Sequence, residues 1–216
     1  MGEKRKNNVL SVKGIVEIAI FTAIAFALDF LQGGLWKGVF LNGGSIGLAM
    51  LPILILCYRR GFVAGFISGF ILSFLQMLGG VYAIADTWYR VMLQILLDYI
   101  LAYPVVAAAG LFIKPFKNAK TDKEKIAWVS IGTVLGGLLK FVCHYLAGVI
   151  FWGSSCPEGF VGGKYLYSFV YNISYTGPSI VLCLIVMIPV VIKYPQFFIV
   201  EEDYEYREGE AVSEIK

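Results

Sequence analysis

Six apolar runs dominate the chain, at about residues 15–31, 45–58, 62–78, 91–113, 126–152 and 165–191. Crossing a bilayer takes ~20 helical residues, and backbone inside hydrocarbon must satisfy its own hydrogen bonds, so runs of this kind are expected to be helices. Composition agrees: 58% of the 216 residues are hydrophobic and only 15% are charged, well outside the habit of a soluble domain. The expected fold class is an all-α integral membrane protein with six transmembrane helices, residues 15–193 forming the membrane domain. The start, MGEKRKNNVLSVKG, is too polar for a cleaved leader, so residues 1–14 read as a tail and the first run as a retained helix. Residues 194–216, which hold EEDYEYREGEAVSEIK, read as a solvated acidic tail.

Basic residues set the orientation. With the N-terminus inside, Lys4, Arg5, Lys6, Lys13, Arg59, Arg60, the lysines from Lys114 to Lys125, and Lys193 are cytoplasmic, while only Lys37, Arg90 and Lys164 are outside. This asymmetry predicts both termini in the cytoplasm. Arg59 and Arg60 then read as positive-inside anchors, and Lys117 to Lys125 as a solvated loop with anionic lipid as a minor contact.

Within this frame the fifth run is exceptional, because KFVCHYLAGVIFW places Lys140, His144 and Trp152 inside or at the end of a membrane helix. Lys140 and His144 are four apart and share a face. A charge at the centre of a membrane helix costs at least about 2.5–3.5 kcal/mol, so it marks a functional site by default. The fourth run contributes Gln94 and Asp98 on one face, and the sixth begins YLYSFVYN. All these groups fall in the outer half of the membrane, with no comparable series below. A channel or proton relay needs polar groups across the full depth; a one-sided set fits a cup that captures a ligand from outside. Tyrosine and tryptophan suit a flat heterocycle, and a carboxylate suits a cationic one. Tyr165 and Tyr171 read as interfacial belt aromatics, the commoner use at helix ends.

The strings EIAIFTAIAF, LPILILCYRRGFVAGFISG, LLDYILAYPVVAAAGLF, LLKFVCHYLAGVIFW and YSFVYNIS together resemble the thiamine-binding S components, of the ThiT or YuaJ type, of energy-coupling factor vitamin transporters. The resemblance covers roughly Val12 to Phe197. It implies a six-helix S component in a bacterial plasma membrane that binds thiamine from outside and associates with a transmembrane coupling subunit and two ATPases. Position by position, it implies substrate contacts from Asp98, Tyr99, Lys140, His144, Trp152, Tyr167 and Asn172, with Tyr82 and Trp36 matching a binding tyrosine and a stacking tryptophan. Ala19, Ala23 and Ala27 recur every four residues, a smooth stripe suited to close helix packing. The resemblance implies that this stripe docks the coupling subunit; spacing alone fits packing within the chain as well.

No cofactor or metal is expected, and no nucleic acid: the four cysteines form no CxxC pair, and no G-x-x-x-x-G-K-[ST] string occurs. ATP is therefore expected to be hydrolysed by another chain. The alternatives are an S component or solitary carrier for another heterocycle or a thiamine precursor, and an intramembrane enzyme using His144 with Asp98. Against the enzyme, the sequence holds no HExxH or GxSxG motif.

Overall fold

A computed structural model describes residues 9–40 and 42–200; Lys4 to Lys6 and the acidic end beyond residue 200 lie outside them. Among the described residues, every regular element is helical. Helix α1 is Val12–Leu35, α2 Met50–Arg60, α3 Phe62–Met77, α4 Trp88–Ile95, α5 Ile113–Asn118, α6 Asp122–Ile150 and α7 Gly163–Lys193. Side chains set two of the starts. Ser11 Oγ accepts from Gly14 N at 3.1 Å. Thr121 Oγ1 accepts from Glu124 N at 3.3 Å, satisfying one orphan donor of the first turn, while the Glu124 carboxylate reaches back to Lys120 N, ahead of the cap, at 2.8 Å.

Helices α1, α6 and α7 are each long and apolar enough to cross a membrane. A fourth such segment is not one rod, as the run at 91–113 suggests, but a pair, Trp88–Ile100 and Pro104–Asn118, bent by 41°. Pro104 explains the break: it brings no N–H and crowds the preceding turn. The chain widens into a π-turn at Leu96–Ile100, closed by Leu101 N on Leu96 O at 2.8 Å, and then tightens into a 3-10 segment, Pro104–Phe112. Asp98 sits inside the π-turn. The run at 45–58 is helical only from Met50, because side chains take the amides before it. Ala49 N donates to Gln32 Oε1 at 3.2 Å and Gly47 N to Ser179 Oγ at 3.1 Å.

Two glycines of α3, Gly65 and Gly69, let the neighbouring segments approach its backbone closely. A Cβ on Gly69 would lie 2.7 Å from Tyr103 O, and one on Gly65 only 2.2 Å from Cys57 Sγ. From the other side, a Cβ on Gly136 of α6 would lie 2.7 Å from Val106 O. The broken segment is thus held tightly between α3 and α6, which fixes where Asp98 can stand. At Gly61 the backbone takes φ +95, a left-handed value open to glycine, and α2 turns directly into α3.

Below, the molecule is close-packed around Tyr58, Val106, Val129, Cys183 and Met187, all fully buried. At that end Glu17 of α1 receives both neighbouring arginines of α2. Arg59 grips it through Nε and Nη2, each at 2.7 Å, and Arg60 through Nε at 2.7 Å and Nη2 at 3.1 Å. Arg59 Nη1 also donates to the carbonyls of Phe197 and Ile199, at 2.8 and 2.6 Å. The two arginines therefore do more than anchor the chain beside a membrane surface. A carboxylate one turn inside α1 draws them inward and makes them a clamp joining α1, α2 and the segment after α7.

Candidate ligand-binding site

At the opposite end from this clamp a cavity of about 580 Å³ opens among α1, the loop after it, the bent segment, α6 and α7. All nine side chains singled out from the sequence line it: Trp36, Tyr82, Asp98, Tyr99, Lys140, His144, Trp152, Tyr167 and Asn172. Residues distant in sequence converge because the C-terminal half of α6 and the N-terminal half of α7 face the π-turn. Gly148 permits the closeness, since a Cβ there would lie 2.1 Å from Ser168 Oγ.

Asp98 is the centre of the polar wall. Its Oδ2 accepts the Trp152 indole N–H at 3.1 Å, and its Oδ1 lies 3.4 Å from His144 Nδ1. The carboxylate is about one-sixth exposed, so it retains a face for a ligand. Trp152, on a 3-10 turn just beyond α6, also packs on Tyr82 with ring centroids 5.4 Å apart and an interplanar angle of 33°. Tyr82 is held from behind: its N–H donates to Tyr99 Oη at 3.0 Å, and Gln94 Oε1 accepts from Ile84 N and Ala85 N at 3.1 and 3.3 Å. Gln94 is fully buried, so it serves to pin the loop that presents Tyr82 and not to line the cavity.

Lys140 does not pair with Asp98. Its Nζ stands 3.9 Å from the centroid of the Tyr103 ring, and the Tyr103 hydroxyl donates to Asp29 of α1. Asn172 is engaged within the wall, its Nδ2 donating to Ser168 O and Oγ and its Oδ1 accepting from Tyr175.

The loop after α1 forms the roof. Trp36 Nε1 donates to Ile46 O at 2.7 Å and its ring lies 5.6 Å from that of Phe40. Tyr171 is part of this roof and not a belt residue: its hydroxyl donates to Gly43 O at 2.7 Å and accepts from Asn42 N at 3.0 Å. Tyr165 remains exposed and apart from the cavity. Asp29, Gln76, Tyr103, Tyr171 and Tyr175 also line the cavity, although sequence reasoning did not place them there. Asp29 carried a usable signal, a lone carboxylate near the end of the first apolar run; the tyrosines carried none that separates a cavity from a core.

On α1, Ala19, Ala23 and Ala27 are all exposed. Among the described residues the stripe is therefore a smooth, exposed strip of helix surface.

Comparison with known proteins agrees with this architecture. The family described as Thiamine transporter protein (Thia_YuaJ) matches residues 15–199. The thiamine transporter ThiT of Bacillus subtilis (strain 168) is 32% identical over 179 residues, spanning 80% of this chain and 87% of that one. The thiamine transporter ThiT of Lacticaseibacillus paracasei is 30% identical over 191 residues, spanning 87% and 91%. A solved structure of ThiT from Listeria monocytogenes is similar with a TM-score of 0.72 at 30% identity, covering 86% of this chain and 96% of that one. The match runs through nearly all the helical elements, and the proteins concerned are transporters and not enzymes. This multi-pass membrane protein belongs to the thiamine transporter protein family.

Proposed function

We propose that this chain is the substrate-binding S component of an energy-coupling factor transporter and that it captures thiamine in the cavity built around Asp98. The observation that carries the reading is the Asp98 group itself: one carboxylate, supported by His144 and Trp152, beside the packed rings of Tyr82 and Trp152. Thiamine joins an aminopyrimidine to a cationic thiazolium. A carboxylate can accept from the exocyclic amine and balance the cation, and aromatic faces add about 0.5–2 kcal/mol each to a well-placed cation. Lys140, Tyr99, Tyr167 and Asn172 complete the wall, and Trp36 closes it from the loop.

The basic residues of the sequence support an orientation with both termini in the cytoplasm, so the cavity faces outward. Below it the described residues pack into an apolar core around Tyr58 and Met187, which favours movement of the whole subunit over passage through it. Such movement needs partners, a transmembrane coupling subunit and two ATPases, and the exposed Ala19, Ala23 and Ala27 strip is the surface assigned to the coupling subunit. Titrating the purified protein with thiamine while following tryptophan fluorescence tests the reading, because Trp36 and Trp152 both line the cavity. Saturable quenching reversed by pyrithiamine is expected; absence of both rejects it.

A further inference from the structure

We propose that Asp29 is the counter-charge of Lys140, and that this pairing, by neutralising the lysine, leaves Asp98 free to select a cationic ligand. The inference rests on the thiamine reading above and deepens it. Among the described residues, the charged side chains lining the cavity are Asp29, Asp98, Lys37 and Lys140, and His144 lines it beside Asp98. Lys37 is exposed, where solvent and salt screen it. Lys140 is the difficulty: an ammonium inside a cavity built for a cation repels its own ligand unless its charge is met locally.

The geometry supplies that balance through Tyr103. The ring carries Lys140 Nζ on its face at 3.9 Å and gives its hydroxyl to Asp29. Tyr103 is itself buried, so the carboxylate and the ammonium are held on one rigid, desolvated group. Asp29 is thus the carboxylate joined to Lys140 through a single shared side chain. Asp98 is meanwhile held elsewhere: its Oδ2 accepts the Trp152 indole N–H at 3.1 Å and its Oδ1 lies 3.4 Å from His144 Nδ1. The cavity is thereby divided: Asp29 with Lys140 on the α1 side and, on the side of the π-turn, a carboxylate with no lysine or arginine against it among the described residues.

Asp29 is also fixed from its own helix. Gln32 Nε2 donates to it at 3.3 Å and to Ser45 Oγ at 2.9 Å, and Gln32 Oε1 accepts from Ala49 N. Asp29 thus has a structural duty as well, and the test must separate charge from scaffolding. Asp29→Asn retains an acceptor for the Tyr103 hydroxyl and removes only the charge.

The experiment compares binding of thiamine with binding of a neutral isostere in which a thiophene replaces the thiazolium. Expected for Asp29→Asn is at least a tenfold loss for thiamine and less than threefold for the isostere. Asp29→Asn combined with Lys140→Met is expected to return the preference for thiamine over the isostere to within threefold of wild type. Lys140→Met alone, which does not disturb the Asp29 hydrogen bonds, is expected to raise that preference. Equal losses for the two ligands in Asp29→Asn, no recovery in the double variant, or a lower preference in Lys140→Met each overturn the inference and leave the thiamine reading standing. A wild-type protein that binds no thiamine overturns both.

Discussion

Trp152 and Asp98 are joined by a hydrogen bond of 3.1 Å that links the turn after α6 to the π-turn of the bent segment. The same indole packs on Tyr82, so one side chain orients the carboxylate and supplies an aromatic face. Trp152→Phe separates the two duties, since it keeps a ring and loses the donor. A hydrogen bond to a charged group contributes roughly 1.5–3 kcal/mol. Thiamine affinity of Trp152→Phe is expected to fall about tenfold, with Trp152→Ala falling further. Equal affinity of Trp152→Phe and wild type, measured by calorimetry, rules out the orienting role.

Asp98→Ala and His144→Ala are each expected to weaken thiamine binding at least tenfold, about 1.4 kcal/mol, without loss of helical circular dichroism. The two side chains lie 3.4 Å apart, so their effects should be less than additive. A double variant whose loss equals the sum of the single losses shows that the pair does not act as a unit, and wild-type affinity in either single variant rejects the site.

Much of this geometry was legible in the sequence, and the reasons differ by residue. Lys140, His144 and Trp152 stood out because polar groups in an apolar run need a cause, and all three line the cavity. Their partners were not legible, since pairing depends on tertiary direction. Asp98 went to Trp152 and His144, while Lys140 went to Tyr103. The break in the fourth run was signalled by Pro104 but not its form, because a π-turn has no residue code of its own. Arg59 and Arg60 resembled every other juxtamembrane basic pair; their capture of Glu17 depends on α1 lying against α2.

The roof over the cavity is held by few groups. The Tyr171 hydroxyl both donates to Gly43 O and accepts from Asn42 N, so Tyr171→Phe leaves two loop groups without that partner while preserving the ring. Each such bond contributes on the order of 1 kcal/mol. Thiamine is expected to dissociate about fivefold faster or more from Tyr171→Phe, with a smaller change in association, as read by stopped-flow fluorescence. An unchanged dissociation rate removes this tyrosine from the closure of the loop.

Stability and binding should separate cleanly at Glu17. Its carboxylate receives Arg59 and Arg60 at 2.7 Å, and the Arg60 side chain is only 1% exposed. Glu17→Gln removes the carboxylate that the two guanidiniums share, and breaking a buried pair from one side costs roughly 3–5 kcal/mol. Glu17 is about one-fifth exposed, so water can reach part of the site and the cost belongs near the lower bound. The clamp lies at the end away from the cavity and shares no lining residue with it. A marked fall in the thermal unfolding midpoint is therefore expected in detergent, with thiamine affinity measured well below that midpoint within twofold of wild type. Unaltered stability denies the clamp its structural role. A tenfold loss of affinity in folded Glu17→Gln shows instead that the two ends of α1 are energetically coupled.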